Sequence, residues 1–199
     1  MYQYEYPHPA VTTDTVVFTI RDARLHVLLI QRGKEPAKGR WAFPGGFIDI
    51  DEDLDSAAHR ELAEETGVSG VELQQFYTFG TPDRDPRERI ITVAYMGLVP
   101  EQDVQLQAGD DAAAVAWYPV DDAPPLASDH DDILATALRV LRERIETSDI
   151  AMNMMSEHFT IADLQKVYEA IMAESLEGEA FRDWVLSQGW IEQTGQQEG

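Results

Sequence analysis

One short segment constrains this chain more than any other, because it places acidic side chains where a helix needs apolar ones. The segment GGFIDIDEDLDSAAHRELAEETGV, residues 45–68, contains eight aspartates and glutamates. Its second half predicts a helix that begins in the aspartate-rich stretch and ends at Gly67, since aspartate is a good N-cap and glycine commonly terminates helices. On a helical wheel, Glu61 and Glu65 fall within the apolar stripe of leucines and alanines, and Glu64 lies at its edge. Two carboxylates are therefore predicted to point toward the protein.

Negative charge in this position needs a compensating cation. Like charges three or four residues apart destabilise an isolated helix by about 0.2–0.5 kcal/mol, and unpaired buried carboxylates are several times more costly. Arg60, four residues before Glu64, can offset only one of them. Carboxylate oxygens are hard ligands that suit Mg2+ or Mn2+. A calcium-binding EF-hand loop is excluded, because Leu54 stands where the sharp turn requires glycine and Arg60 where a bidentate glutamate is required.

The same segment carries a complete motif. Gly46, five residues, Glu52, seven residues and then RELAEETGV (residues 60–68) resemble the Nudix box, G-x5-E-x7-R-E-U-x-E-E-x-G-U with U aliphatic, at all nine specified positions. The resemblance implies an α+β fold with a mixed β-sheet sandwiched between α-helices. It also implies metal-dependent hydrolysis of a nucleoside diphosphate linked to another group. A diphosphate can approach such carboxylates only if metal ions bridge the two, neutralise charge and activate a water.

The resemblance further implies roles for individual residues. Arg60 would orient the glutamates and act in catalysis with Glu61 and Glu64, and Glu52 would stabilise the loop or bind metal through water. Glu61 and Glu65 would be the main metal ligands. The full set of implied metal ligands, which includes one main-chain carbonyl, is Gly45, Glu61, Glu64 and Glu65. The general base stays open among two residues of the Nudix box and two outside it: Glu61, Glu64, Asp110 and Asp111.

The residues that flank the Nudix box indicate the substrate. Along most of the chain from Pro7 to Arg144 they resemble the branch that contains ADP-ribose pyrophosphatases and related regulators. The expected reaction is hydrolysis of ADP-ribose, or of a related nucleoside diphosphate sugar, to AMP and a sugar phosphate. The expected cofactor is Mg2+, with Mn2+ as the alternative.

Two arginines and two aromatic residues are candidates for contact with that substrate. Arg32 and Arg87 are rare cations in an acidic protein, and each could bind a phosphate oxygen or form a surface salt bridge. Phe43 could stack on adenine, as could Tyr77, although single aromatic residues in strands often belong to the core. His130 could lie near the site or cap the helix that follows it.

Apolar patterning predicts the order of elements. Two β-rich runs, residues 10–20 and 24–32, flank a short polar turn and predict a hairpin. Further strands are predicted within VELQQFYTF, RIITVAYMGLV and AAVAWYPV, and an amphipathic helix over residues 131–145. The expected domains are a Nudix domain at residues 1–147 and a small helical unit at residues 148–199.

The C-terminal unit resembles an incomplete winged helix-turn-helix. TIADLQKVYEAIMA and EGEAFRDWVLSQ predict two helices, with Thr160 as an N-cap and Gly189 as a terminator, and the following WI could begin a strand. The same branch of the family includes regulators of NAD metabolism, in which the Nudix domain senses ADP-ribose and a winged helix binds DNA. The alternative function is therefore that of an ADP-ribose-sensing transcription regulator.

Charge argues against DNA binding by this unit. Residues 155–199 hold nine acids and two bases, a net charge of −7, and the presumed recognition helix contains a single basic residue. Phosphate contacts usually need several. The whole chain carries a formal charge of −22, which also disfavours nucleic acid and anionic membranes. We expect the unit to have lost DNA binding and to serve packing or dimerisation.

Composition sets the remaining expectations. The 199 residues include no cysteine, which excludes disulfides and thiolate metal sites and fits a reducing cytoplasm. The N-terminal residues lack the pattern of a secretory signal, and no apolar run has the length of a membrane span. We expect a soluble cytoplasmic protein that forms a homodimer and binds a small nucleoside diphosphate but no membrane.

Overall fold

A computed structural model of the protein describes residues 5–101, 106–109, 112–192 and 194. Its strands are β1 (Ala10–Arg21), β2 (Arg24–Arg32), β3 (Trp41–Ala42), β4 (Gly45–Phe47), β5 (Leu73–Phe79), β6 (Ile90–Leu98) and β7 (Ala112–Pro119). Its helices are α1 (Leu54–Thr66), α2 (His130–Ile145), a 3-10 helix (Ile150–Met154), α3 (Ile161–Met172) and α4 (Gly178–Gln188). Within these ranges, no helix is long and apolar enough to cross a membrane.

The strands form one seven-stranded mixed sheet. Its order is β3-β2-β1-β6-β5, with β4 paired to β1 and β7 paired to β2. Strands β1 and β6 are parallel, and the other pairs are antiparallel. The predicted hairpin is confirmed: Asp22 and Ala23 turn the chain with φ values of 48° and 57°, the left-handed conformation that a two-residue hairpin turn needs.

Helices cover both faces of this sheet, which confirms the expected α+β sandwich. Side chains alternate along β1, so Phe18 faces α2 and packs with its Leu141, whereas Val17 faces α1 and packs with its Leu62. Helix α1 begins where Asp53 accepts the Ser56 N–H, and it ends at Gly67, whose φ is 75°. The sheet and α1 together fix the position of the Nudix box.

The C-terminal helices share the core of the sheet. Leu164 and Ile171 of α3 and Phe181 of α4 belong to the same buried cluster as Phe18 and Leu141. The boundary between residues 147 and 148 therefore stays a prediction, because apolar packing is continuous across it.

The ends of these helices largely follow the sequence prediction. Thr160 caps α3 by accepting the Asp163 N–H at 3.1 Å, and Gly189 ends α4 with a φ of 73°. The predicted strand at WI is wrong: residues 190 and 191 belong to no strand, and Trp190 packs edge-on against Trp184. A strand needs a pairing partner, and none of the described strands lies beside this segment.

Replacing Ile171 with alanine is expected to destabilise both halves of the protein together. Ile171 is 0% exposed, and removing a buried isoleucine side chain typically costs about 2–5 kcal/mol. Urea unfolding followed by circular dichroism and tryptophan fluorescence should give one transition, shifted to lower urea by both probes. Two separate unfolding transitions, of which only one shifts to lower urea, would contradict the inference that the two halves share one core.

Candidate functional site

Helix α1 carries two carboxylates that lie against strand β4. Glu65 accepts the N–H of Gly45 at 2.9 Å. A Cβ atom at Gly46 would lie 2.4 Å from a carboxylate oxygen of Glu61, and one at Gly45 would lie 2.1 Å from the carbonyl oxygen of Thr13. The backbone of β1 leaves no room for a side chain at Gly45, whereas at Gly46 the space is taken by the Glu61 side chain. This geometry places both glutamates between the helix and the sheet.

Burial raises the pKa of both carboxyl groups. The pKa of Glu65 rises from its ordinary 4.5 to about 7, chiefly through burial, while the Gly45 N–H lowers it and the charge of Glu61 raises it further. The pKa of Glu61 is also raised, again chiefly by burial, against the opposing effect of the Arg60 hydrogen bond. The negative charge of this pair is therefore incompletely compensated.

Arg60 binds the remaining carboxylates of the Nudix box. It donates to both oxygens of Glu52 at 2.8 Å, which ties the preceding loop to the helix. It also donates to Glu61 at 2.8 Å and to the largely exposed Glu64 at 3.2 Å. A further bond to the carbonyl oxygen of Phe47, at 3.2 Å, holds the loop from its other side. These contacts raise the pKa of Arg60, and the hydrogen bonds to Glu52 make the largest contribution.

The donor groups suit a divalent cation, although they do not yet converge on one point. Among the described residues, no three acidic or histidine side chains are grouped closely enough to hold a metal ion. The reason is visible in the contacts, since Arg60 holds Glu61 and Glu64 while the Gly45 N–H holds Glu65. Hard oxygen donors with incompletely compensated charge are nevertheless the chemistry that Mg2+ and Mn2+ prefer.

A buried ionic network that the motif does not contain lies beside Glu65. The guanidinium of Arg84, from the β5–β6 loop, donates to both oxygens of Asp129 at 2.8 and 2.7 Å and lies 3.7 Å from Asp14. Its side chain is only 5% exposed. The hydroxyl of Thr92 donates to Asp14 at 2.7 Å. Asp14 pairs with Gly45 across the β1–β4 ladder, so this network abuts the site.

His130 completes the network and holds the loop that leads into the Nudix box. Its Nδ1 accepts the N–H of Phe43 at 3.0 Å, and the two rings stack with centroids 5.3 Å apart. Burial lowers the pKa of His130, so the imidazole is neutral, and its proton lies on Nε2. That atom faces Asp14 at 3.6 Å. His130 therefore lies at the site and is also the first residue of α2. Asp14, Arg84, Asp129 and His130 are called the buried ionic network below.

The aromatic candidates separate into one buried and one exposed residue. Phe43 is 2% exposed, belongs to the core and stacks on the ring of His130, so its contact with adenine stays a prediction. Tyr77 on β5 is half exposed and packs against Phe79 at 4.9 Å.

The two arginine candidates both lie close to the Nudix box. Arg32, at the end of β2, donates to the Pro36 carbonyl at 2.8 Å and lies near enough to Glu65 to lower its pKa. Arg87 forms two hydrogen bonds with Asp85, at 3.0 and 2.8 Å, and its guanidinium lies 5.1 Å from the ring centre of Phe47. The two candidate general bases outside the motif, Asp110 and Asp111, lie outside the described residues.

The two glycines of the site predict a contrast between matched alanine substitutions. Gly45→Ala would place a Cβ against the Thr13 backbone, so the β1–β4 pairing must shift, at an expected cost of about 3 kcal/mol. Gly46→Ala meets only the carboxylate of Glu61, which can rotate away, and should cost about 1 kcal/mol. Urea unfolding of the two variants checks this order, and equal losses would contradict it.

Comparisons with known proteins place the chain in a family. It matches the NUDIX domain model over residues 11–137 and the NrtR DNA-binding winged helix domain model over residues 151–199. It is 36% identical over 196 residues to the ADPR responsive transcriptional repressor NtrR of Acinetobacter baylyi, which covers 96% of this chain and 78% of that protein. It is 35% identical over 137 residues to the ADP-ribose pyrophosphatase of Methanocaldococcus jannaschii, which covers 67% of this chain and 76% of that protein.

Solved structures agree with both matches. Shewanella oneidensis NrtR complexed with a 27mer DNA superposes with a TM-score of 0.81 at 34% identity, over 95% of this chain and 88% of that one. The Nudix domain of the same protein complexed with ADP ribose gives a TM-score of 0.64 at 37% identity, over 68% of this chain and 90% of that one.

These findings correct the expectation that this protein has no nucleic-acid partner. The winged-helix match and the neighbour solved with DNA overturn it. The net charge of −7 was a poor guide, because DNA binding depends on the groups that face the phosphates, including backbone N–H groups, and not on a sum over the whole unit. The chain belongs to the Nudix family, in the group whose Nudix domain is followed by an NrtR DNA-binding winged helix domain.

Proposed function

We propose that this protein is an ADP-ribose-responsive DNA-binding regulator, in which the Nudix domain binds ADP-ribose and the C-terminal unit binds DNA. The observation that carries the proposal is the similarity of nearly the whole chain, in both domains and in the same order, to a repressor of that description. The buried cluster shared by the sheet, α3 and α4 supports it, because a sensor domain must be physically joined to the unit it controls.

ADP-ribose would bind beside Glu61 and Glu65 together with Mg2+ or Mn2+. A bound divalent cation would neutralise the repulsion between the diphosphate and these carboxylates. Glu61, Glu64, Glu65 and the Gly45 carbonyl are the proposed ligands. Arg32 is the proposed phosphate contact, since it already lies within electrostatic range of Glu65.

Arg87 is a second proposed phosphate contact, and its position supports a clamp over the loop of the Nudix box. Its guanidinium lies over Phe47 and forms two hydrogen bonds with the neighbouring Asp85. Exchanging that carboxylate for a phosphate would keep the bidentate geometry. We further propose that the protein works in the cytoplasm as a homodimer.

DNA binding is expected to depend on Arg182 and on salt. Arg182 lies on the exposed side of α4, where acidic Glu179 and Asp183 surround it. Arg182→Ala should weaken DNA binding about three- to tenfold and lower the slope of log affinity against log salt by about one. Ser187→Ala on the same helix is the control and should change neither quantity. An Arg182→Ala variant with the affinity and salt dependence of the wild type would contradict a phosphate contact by Arg182.

The proposal is tested by fluorescence anisotropy with labelled DNA from the region upstream of the protein's own gene. The dissociation constant is measured at low salt with and without ADP-ribose, and with scrambled DNA as a control. We expect sequence-dependent binding whose affinity changes at least about fivefold when ADP-ribose is added. A dissociation constant that is the same for the scrambled DNA and is unchanged by ADP-ribose would contradict the proposal.

Hydrolysis of ADP-ribose to AMP and a sugar phosphate is the second candidate function. It is favoured by the complete Nudix box and by the inward position of Glu61 and Glu65. Release of AMP is measured in the presence of Mg2+, with Glu61→Gln as the inactive reference. Turnover in the wild type alone would make the protein an enzyme as well as a sensor, and no turnover would leave binding as its sole use of ADP-ribose.

A further inference from the structure

Helix α2 contacts the Nudix site at its first residue. His130 accepts the Phe43 N–H, and Phe43 lies two residues before Gly45, whose N–H is bound by Glu65. Asp129, the residue before the helix, gives both carboxylate oxygens to Arg84 and makes no side-chain capping bond to the helix. The start of α2 is therefore fixed to the site rather than to its own first turn.

The other end of α2 contacts the winged-helix unit. Nε of Arg142 donates to the carbonyl oxygen of Ile171, in the last turn of α3, at 3.0 Å. Between the two ends, the buried residues of α2 and α3 share one apolar cluster: Ala137, Val140, Leu141, Leu164, Val167 and Ile171. At about 1.5 Å per residue, this 16-residue helix spans about 24 Å.

The site end of α2 is held by a buried bidentate ion pair. Arg84 is 5% exposed, so its bidentate bond to Asp129 is either made or broken. The packed cluster along the helix resists gradual deformation, because close-packed interiors have few voids. A displacement at the site end is therefore expected to shift the packed helix as a unit.

The ligand site has a direct electrostatic connection to this end. Glu65 accepts the Gly45 N–H, and Gly45 pairs with Asp14 across the β1–β4 ladder. Asp14 in turn faces Arg84 at 3.7 Å and His130 at 3.6 Å. A cation or diphosphate bound at Glu65 changes the balance of charge around Asp14, and so the free energy of the Arg84–Asp129 pair.

From these contacts we propose that α2 couples the two sites of the protein, with Asp129 and His130 as positioning residues at the ADP-ribose end and Arg142 as the positioning residue at the DNA end. The proposal rests on the proposed function and adds how ligand binding reaches the DNA-binding unit. It predicts that coupling can be removed while each site still binds its own ligand.

The test uses the full-length Arg142→Gln variant. Dissociation constants for ADP-ribose and for the upstream DNA fragment are expected within about twofold of wild type, since Arg142 binds the Ile171 carbonyl and is not a proposed ligand contact. The ratio of DNA affinities with and without ADP-ribose should fall from roughly 5- to 150-fold to below about threefold. Arg142→Lys, which keeps a donor for the Ile171 carbonyl, should recover part of the ratio.

Arg139→Gln is the matched control, because Arg139 lies on the same helix and, within the described part of the chain, forms its ion pair with the exposed Glu143. It should leave the ratio unchanged. A wild-type ratio in Arg142→Gln, or an equal loss in Arg139→Gln, would overturn the proposal.

Hydrogen exchange without DNA separates failure of this proposal from failure of the proposed function. ADP-ribose should change the exchange of amides in residues 161–172 of the wild type but not of Arg142→Gln. If ADP-ribose binds and these amides do not respond even in the wild type, the coupling is overturned while ADP-ribose binding stands. If ADP-ribose does not bind at all, the proposed function is overturned and the coupling with it.

Discussion

Replacing Glu65 with glutamine is expected to stabilise the metal-free protein by about 2 kcal/mol near pH 8 and to change its stability little near pH 5. The pKa of Glu65 is about 7 in the folded protein and 4.5 ordinarily, so the folded state binds the proton more tightly than the unfolded state. The stability that protonation contributes is present below pH 4.5 and is lost as the pH rises through 7. Glutamine has no charge to bury and can still accept the Gly45 N–H. Urea unfolding in chelator-treated buffer at several pH values measures the difference.

Glu64→Gln is the matched control for this prediction. Its side chain is 61% exposed, so the same substitution one residue away should change stability by less than about 0.5 kcal/mol at either pH. Mg2+ provides a second readout: it should stabilise the wild type at pH 8 but have much less effect on Glu65→Gln. A Glu65→Gln variant that is no more stable than wild type at pH 8, or that responds equally to Mg2+, would contradict the assignment of Glu65 as a buried cation ligand.

Replacing Arg84 with methionine is expected to cost about 3–5 kcal/mol of folding free energy. The substitution keeps an apolar side chain of similar length but leaves Asp129 and Asp14 facing each other without their cation. Both carboxylates are largely buried, so water cannot replace the guanidinium. Equilibrium urea unfolding at neutral pH measures the loss.

Arg87→Met tests the same substitution in the same loop. Arg87 is 39% exposed and pairs with a carboxylate two residues away, so its loss should cost less than about 1 kcal/mol. Similar losses for the two variants would mean that Arg84 contributes no more than a surface ion pair. They would also remove the fixed end of α2 on which the proposed coupling depends.

Local spacing was enough to predict the part of the site that one helix carries. The period of an α-helix is set by covalent geometry, so the positions of Glu61 and Glu65 on the apolar stripe can be predicted from the amino-acid sequence alone. Capping chemistry likewise predicted the ends of α1, where Asp53 accepts the Ser56 N–H and Gly67 adopts a left-handed conformation.

The buried ionic network could not be predicted in this way. Asp14 lies on β1, Arg84 in the β5–β6 loop and His130 on α2, and these meet only because β1 and β6 are adjacent and parallel in the sheet. Periodicity predicts that a strand exists but not its neighbours. The stacking of His130 on Phe43 could not be predicted for the same reason, since the two residues are distant in sequence.

The C-terminal unit shows a different limit of sequence reasoning. Its helices were predicted well, because Thr160 and Gly189 mark where α3 begins and where α4 ends. The prediction that this unit does not bind DNA was wrong. It rested on net charge, which does not distinguish the surface that contacts DNA from the surfaces that are exposed to solvent. Similarity along nearly the whole chain to a transcriptional repressor indicated DNA as a partner, which the charge count did not.

Isothermal titration of ADP-ribose into the protein, alone and then saturated with the upstream DNA fragment, tests the linkage between the two sites most directly. Coupling between two binding sites is reciprocal, so DNA must change ADP-ribose affinity by the same factor by which ADP-ribose changes DNA affinity. We predict a shift of at least about fivefold in the wild type, equal to the factor found by anisotropy. An ADP-ribose affinity that is the same with and without bound DNA would contradict the proposal that this protein is an ADP-ribose-responsive regulator.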